Sequence, residues 1–206
     1  MAAILRAIEG RIHRQQPEIF TWKDKALTES KLPIHNLSTR HPGLTDAVGS
    51  YYTEAARVCL DRHHRSPVDF EIDNAGARLP VSTEWEATDE RTKSAHANEI
   101  DATEVGAYAC ALAAVEVATR MVAIHRAETA TGADYYIAPL GSTAEDLEAS
   151  LRLEISGVDR GGQATIAQRL AAKLEQAAAG GSNIPALAGV VGFRARLIML
   201  RSVNRE

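Results

Sequence analysis

Cysteine is scarce in this chain. Only Cys59 and Cys110 occur among 206 residues, far apart and both in segments of helical pattern, which excludes a small disulfide-stapled scaffold and points to a reducing, cytoplasmic compartment. Long apolar runs are also missing. No stretch approaches the length that spans a bilayer, and the opening Met1-Ala2-Ala3-Ile4-Leu5-Arg6 lacks the apolar core and cleavage site of a secretory leader, so no membrane partner is expected. Positive charge is not in excess. With 23 Lys and Arg against 27 Asp and Glu the formal net charge is -4, which excludes a global basic field of the kind that drives indiscriminate binding to polyanions. Two catalytic signatures are absent as well, the Gly-x-x-x-x-Gly-Lys-Ser/Thr phosphate loop and the Gly-x-Ser-x-Gly nucleophile elbow. Cys59 and His63 stand four apart, but no second close pair completes a tetrahedral metal set.

What is present is ordinary globular composition, 45% hydrophobic and 24% charged, enough to bury a real core. Residues 1–43 read as a short helix followed by an arm interrupted at Pro17, Pro33 and Pro42. Apolar and small residues recur at helical spacing from Thr45 to Arg62, with Thr45 as N-cap. Val68-Asp69-Phe70-Glu71-Ile72-Asp73 alternates with period two, and Asn74-Ala75-Gly76 turns it into a hairpin with Leu79, Val81, Thr83 and Trp85. Its acidic face reads as a solubilising one. The polar stretch 86–100 is the expected seam between an N-terminal elaboration, residues 1–100, and a core, residues 101–206.

The core opens with Asp101-Ala102-Thr103-Glu104, which fits a capping box, and continues as an Ala-rich helix apolar almost all round, hence buried. Met121 to His125 either prolongs that helix or forms a strand. Asp134-Tyr135-Tyr136-Ile137 and the alternating run Leu147 to Gly157 predict two strands, residues 163–179 a second amphipathic helix, and Val190 to Leu200 a last strand. The class is α/β (α+β), a central mixed sheet flanked by helices.

Two carboxylates stand out. If the strands after Gly132 and before Gly157 pair, Asp134 and Glu154 converge on one hard cation, because Mg²⁺ accepts oxygen ligands from short acidic side chains; the alternative is a pair of solvated strand-end carboxylates. The order α-β-β-β-α-β, with Gly-Ala-Asp opening one strand and Glu-x-Ser inside the next, resembles the PD-(D/E)XK nuclease-like superfamily over residues of about 101–200. That resemblance implies a restriction-endonuclease-like core in which Asp134 and Glu154 bind Mg²⁺ or Mn²⁺ and a glutamate of the first helix, Glu104 or Glu116, assists. The lysine position holds Ser156, so a relocated lysine is implied, for which Lys173 on the following helix is the candidate; exposure on a solvated helix face is the alternative.

Glu104 also has a capping role to explain it, and Glu116, on the apolar face of its helix, needs a partner such as Arg120 four residues on. The activity the resemblance implies is metal-assisted hydrolysis of phosphodiesters in DNA or RNA. Arg126, Arg160, Arg194 and Arg196 are the candidate contacts to nucleic acid, with a protein partner or a second copy completing the binding surface. A catalytically silent scaffold of the same fold is the rival expectation, and Ser156 is its support.

Overall fold

The computed structural model describes residues 30–129, 131–143, 150–179 and 183–203. The predicted N-terminal helix and residues 147–149 of the long alternating run lie outside them. Among the described residues seven strands form one mixed sheet in the order β2-β1-β7-β6-β5-β4-β3, with four α-helices. Its elements are α1 (Asp46–Asp61), the hairpin β1 (Val68–Asn74) and β2 (Ala77–Thr83), α2 (Glu90–Ala95) and α3 (Glu99–Thr119). There follow β3 (Met121–Arg126), β4 (Tyr135–Pro139), β5 (Leu151–Val158), α4 (Gln163–Ala179), β6 (Ala186–Gly192) and β7 (Leu197–Ser202). Pairing is parallel at β1–β7 and β5–β6 and antiparallel elsewhere. The β1–β2 hairpin therefore belongs to the same sheet as the strands beyond residue 101.

Alternation along the strands sorts the core into two layers. Tyr135, Ile137, Leu153, Ile155, Leu187, Val191, Ile198 and Leu200 face α1 and α3, while Val158, Ala188, Val190, Leu197 and Met199 pack with Ile166 and Leu170 of α4 on the other face. Helix α3 is buried along most of its length, from Ala102 to Val115, as its apolar circumference requires. It approaches α1 closely enough that a Cβ on Gly106 would lie 2.9 Å from the Ala56 backbone. Glycine there permits the helix crossing.

Two local expectations are corrected, and one of two open alternatives is selected. Helix α3 begins at Glu99, capped by Asn98, whose side chain accepts from the Ile100 and Asp101 amides at 3.1 and 3.4 Å, so the Asp101–Glu104 capping box does not form. Asn98 supplies the same acceptor three residues earlier. The run Val190 to Leu200 is two strands separated by the turn Phe193–Arg196. The stretch from Met121 is strand, because Arg120 ends α3 in the left-handed conformation (φ 58°).

Residues 30–43 form a strap touching both borders of the sheet. At one end the Leu32 amide donates to Ser82 O of β2 (2.8 Å), and at the other the Gly43 amide donates to Ala123 O of β3 (2.9 Å). Leu32, Ile34 and Leu37 are buried in the core between those points. Both outer strands thereby receive backbone hydrogen bonds at positions that an open edge would leave to other chains.

Candidate functional site

A cleft of about 610 Å³ opens at the end of β4 and β5, lined by Arg126, Glu128, Gly132, Asp134, Glu154 and Gln176 among others. Asp134 stands one residue before β4. Its amide donates to Leu153 O (2.8 Å), one step out of phase with the Tyr135–Leu153 pairing, and its Oδ2 accepts from the Ile155 amide (2.8 Å). The side chain thus replaces the next strand carbonyl and ends the ladder. Its Oδ1 accepts from the Tyr108 hydroxyl of α3 (2.5 Å) and lies 3.4 Å from Arg126 Nη2. Burial pushes the Tyr108 phenol well up, and the Asp134 charge adds to this, so Tyr108 remains a donor.

Glu154 lies inside β5 on the face covered by α4, and is buried. Lys173 Nζ donates to Glu154 Oε1 at 2.6 Å, and to Gln176 Oε1 at 3.1 Å. Burial holds the Glu154 carboxyl above the usual range despite the Lys173 hydrogen bond, and the neighbouring Asp134 charge pushes the same way. Lys173 reaches it because α4 directs Ile166, Leu170, Lys173 and Ala177 toward the sheet, steps of four, three and four residues that make one helical stripe. Asp134 and Glu154 therefore share one cleft but are anchored from opposite layers, the first by α3 and the second by α4. Ser156, two residues further on the Glu154 face, is also buried.

The cationic side is Arg126, whose guanidinium carbon stands 4.9 Å from the Tyr108 ring centre and 4.7 Å from that of Tyr135. Tyr52 braces the pair: its ring stacks on Tyr108 (4.8 Å between centroids) and its hydroxyl bonds that of Tyr135 (2.9 Å). This platform fixes a half-exposed guanidinium beside Asp134. The tyrosines were not among the sequence-derived site residues. Their only advance signal is the rule that a buried tyrosine hydroxyl finds a polar partner.

The other sequence-derived residues lie elsewhere. Glu104 is exposed on α3. Glu116 accepts from Arg40 Nε (3.0 and 2.9 Å) and stands 3.3 Å from His41 Nε2, so the strap supplies the partner that Arg120 was expected to give. His41 is fully buried, its Nδ1 accepting from the Ala123 amide of β3 at 3.0 Å. Arg194 and Arg196 occupy the β6–β7 turn rather than a strand, and Arg160 pairs with Glu99 and Asp159, 3.3 Å from each. Asp159, just past that end of β5, is five residues, about 16 Å, from Glu154. Cys59 donates to Ala102 O (3.2 Å) and His63 bonds Asp159 (3.1 Å), so this pair makes no metal site. Among the described residues no cluster of three or more His, Cys, Asp or Glu side chains is placed to hold a metal ion, and no helix is long and apolar enough to cross a membrane.

Asp134 Oδ1 accepts from both Tyr108 and Arg126, whereas Oδ2 accepts one hydrogen bond and has a second lone pair, and Glu154 Oε2 accepts none among the described residues. Mg²⁺ is commonly held by one or two carboxylates, the remaining positions going to waters and substrate phosphate, so this pair fits as donors. The opposing consideration is that Arg126 and Lys173 already balance both charges.

Comparison with family models, curated proteins and solved structures finds no match to this chain.

Proposed function

We propose that the cleft is a divalent-metal-dependent phosphodiesterase site acting on nucleic acid, and that the chain is a nuclease or the nuclease subunit of a larger assembly. The observation that carries this reading is that Glu154, paired with Lys173, lines the same cleft as Asp134. The run α3-β3-β4-β5-α4-β6, antiparallel through β5 and parallel from β5 to β6, supports an atypical PD-(D/E)XK-like core, extended by β7 and the β1–β2 hairpin. Lys173 supports the relocated-lysine expectation that Ser156 raised.

Asp134 and Glu154 are the residues that would hold Mg²⁺ or Mn²⁺, which supplies polarisation of a phosphoryl oxygen and a lowered pKa of bound water. Glu154, held by Lys173 through Oε1, keeps Oε2 for the cation. Lys173 Nζ and the Arg126 guanidinium stabilise the negative charge that gathers on the phosphoryl oxygens. Tyr108 and the Ile155 amide hold Asp134 in one orientation while this occurs.

The test is Mg²⁺ or Mn²⁺ titration with single- and double-stranded DNA and RNA. Wild type is expected to hydrolyse at least one of these, Asp134→Asn and Glu154→Gln to lose more than about a hundredfold, and Lys173→Met to lose turnover while binding Mn²⁺ more tightly, since the competing ammonium is gone. Activity undiminished in Asp134→Asn or Glu154→Gln rejects the assignment. The second reading, a catalytically silent scaffold, is favoured by the internal balance of all four charges, and absence of hydrolysis under every condition selects it.

A further inference from the structure

The end of the molecule remote from the cleft gathers arginine from three segments that are far apart in sequence. Asp159, just after β5, is the hub: its Oδ1 accepts from Arg62 Nη1 (3.2 Å) and His63 Nε2 (3.1 Å), and its backbone carbonyl accepts from the Arg194 amide (3.2 Å). The His64 ring bonds Phe193 O at 2.8 Å. These contacts knit the α1 C-terminus, the β5–α4 loop and the β6–β7 turn into one surface. Arg65, Arg160, Arg194 and Arg196 are exposed on it.

Some cations of this end have no acidic partner. Asp159 and Glu99 engage Arg62 and Arg160, Glu71 pairs with Arg78 at 3.2 Å, and Asp69 on β1 with Asp101 and Glu104 on the first turns of α3 are further exposed carboxylates. Arg65, Arg194 and Arg196 have no carboxylate partner among the described residues. Three unneutralised guanidinium groups together are notable in a chain whose net charge is -4. Apart from histidine, the six basic side chains named here, Arg62 and Arg78 included, are arginine and none is lysine. The planar guanidinium fork matches phosphate oxygens in two-point contact, which a compact ammonium does not.

We infer that this arginine-rich end is a docking surface for the phosphodiester backbone of nucleic acid, separate from the cleft. It is independent of hydrolysis, because a silent scaffold uses it equally well. The contact is with phosphate, so it is insensitive to base sequence and weakens steeply with salt.

The test uses the full chain carrying Asp134→Asn, so that no cleavage confuses binding, and a fluorescein-labelled 20-nucleotide single strand, read by anisotropy between about 50 and 200 mM salt. The triple variant Arg65→Gln, Arg194→Gln, Arg196→Gln is compared with an equal-charge control, Arg91→Gln, Lys93→Gln, Arg169→Gln, whose side chains lie on α2 and α4. Matching thermal melts verify that both variants are folded. The docking triple is expected to bind at least about tenfold more weakly at 50 mM salt, with the log–log salt slope reduced by about two, and the control to behave as the parent. Equal losses in the two triples reduce the effect to net charge and overturn the inference, as does an unchanged slope or no binding by the parent at 50 mM salt. Sedimentation with phosphatidylserine vesicles is run in parallel; association that the docking triple abolishes, without oligonucleotide binding, assigns the surface to a membrane and overturns it too. Failure of the hydrolysis assay alone leaves the docking surface standing.

Discussion

Glu154 shows how one buried side chain can oppose stability. It is buried, its carboxyl is held above the ordinary range, and Lys173 only partly offsets the burial. Between the ordinary carboxylate range and that higher value, the folded chain keeps a proton that the unfolded chain releases, so stability falls as pH rises through the window. Glu154→Gln mimics the protonated form and still accepts from Lys173. It should melt higher than wild type at pH 7.5, and the gap should close below the ordinary carboxylate range; a lower melting temperature at pH 7.5 would contradict the assignment. Lys173 was legible as a member of α4, yet its place in the stripe with Ile166, Leu170 and Ala177 separates it from a solvated lysine. Asp134 was legible as a strand-opening acid. Its anchoring by Tyr108 was not, because no local pattern joins residues 26 apart in sequence.

Among elements, those bounded by familiar chemistry matched their sequence signals. Helix α1 starts after Thr45, whose side chain accepts from the Val48 amide, and α4 spans the expected residues 163–179. Besides the Asn98 cap of α3, the boundaries that sequence concealed are those made by arginine. Arg120 (φ 58°) ends α3 and Arg196 (φ 55°) closes the β6–β7 turn, each in a conformation that normally advertises itself through glycine or asparagine. Strand β3 carries a testable device. His41 Nδ1 accepts from the Ala123 amide, so the proton sits on Nε2 toward Glu116, and burial lowers the His41 pKa from 6.5 to about 4. Its stabilising contribution is full above pH 6.5 and fades as pH falls toward 4, a span worth about 3 kcal/mol. His41→Gln can still accept from Ala123, so its urea midpoint should vary less than that of wild type between pH 6.5 and 4.5. An equal slope would show that His41 does not titrate in this way.

Across the whole molecule, one sheet joins both halves of the chain, and the strap of residues 30–43 packs Leu32, Ile34 and Leu37 beneath it. Truncating fully buried Ile34 to alanine should cost about 2–5 kcal/mol, measured by denaturant unfolding, a loss of core packing rather than of any surface contact. A value below about 0.5 kcal/mol, the range of surface substitutions, would mean that the strap is dispensable. Because the same short segment is stitched to β2 at Ser82 and to β3 at Ala123, a single peptide cut between Leu32 and Gly43 leaves each seam in place but severs the covalent tie between them. Proteolysis there should let the two flanks part independently, as a belt does when its buckle opens.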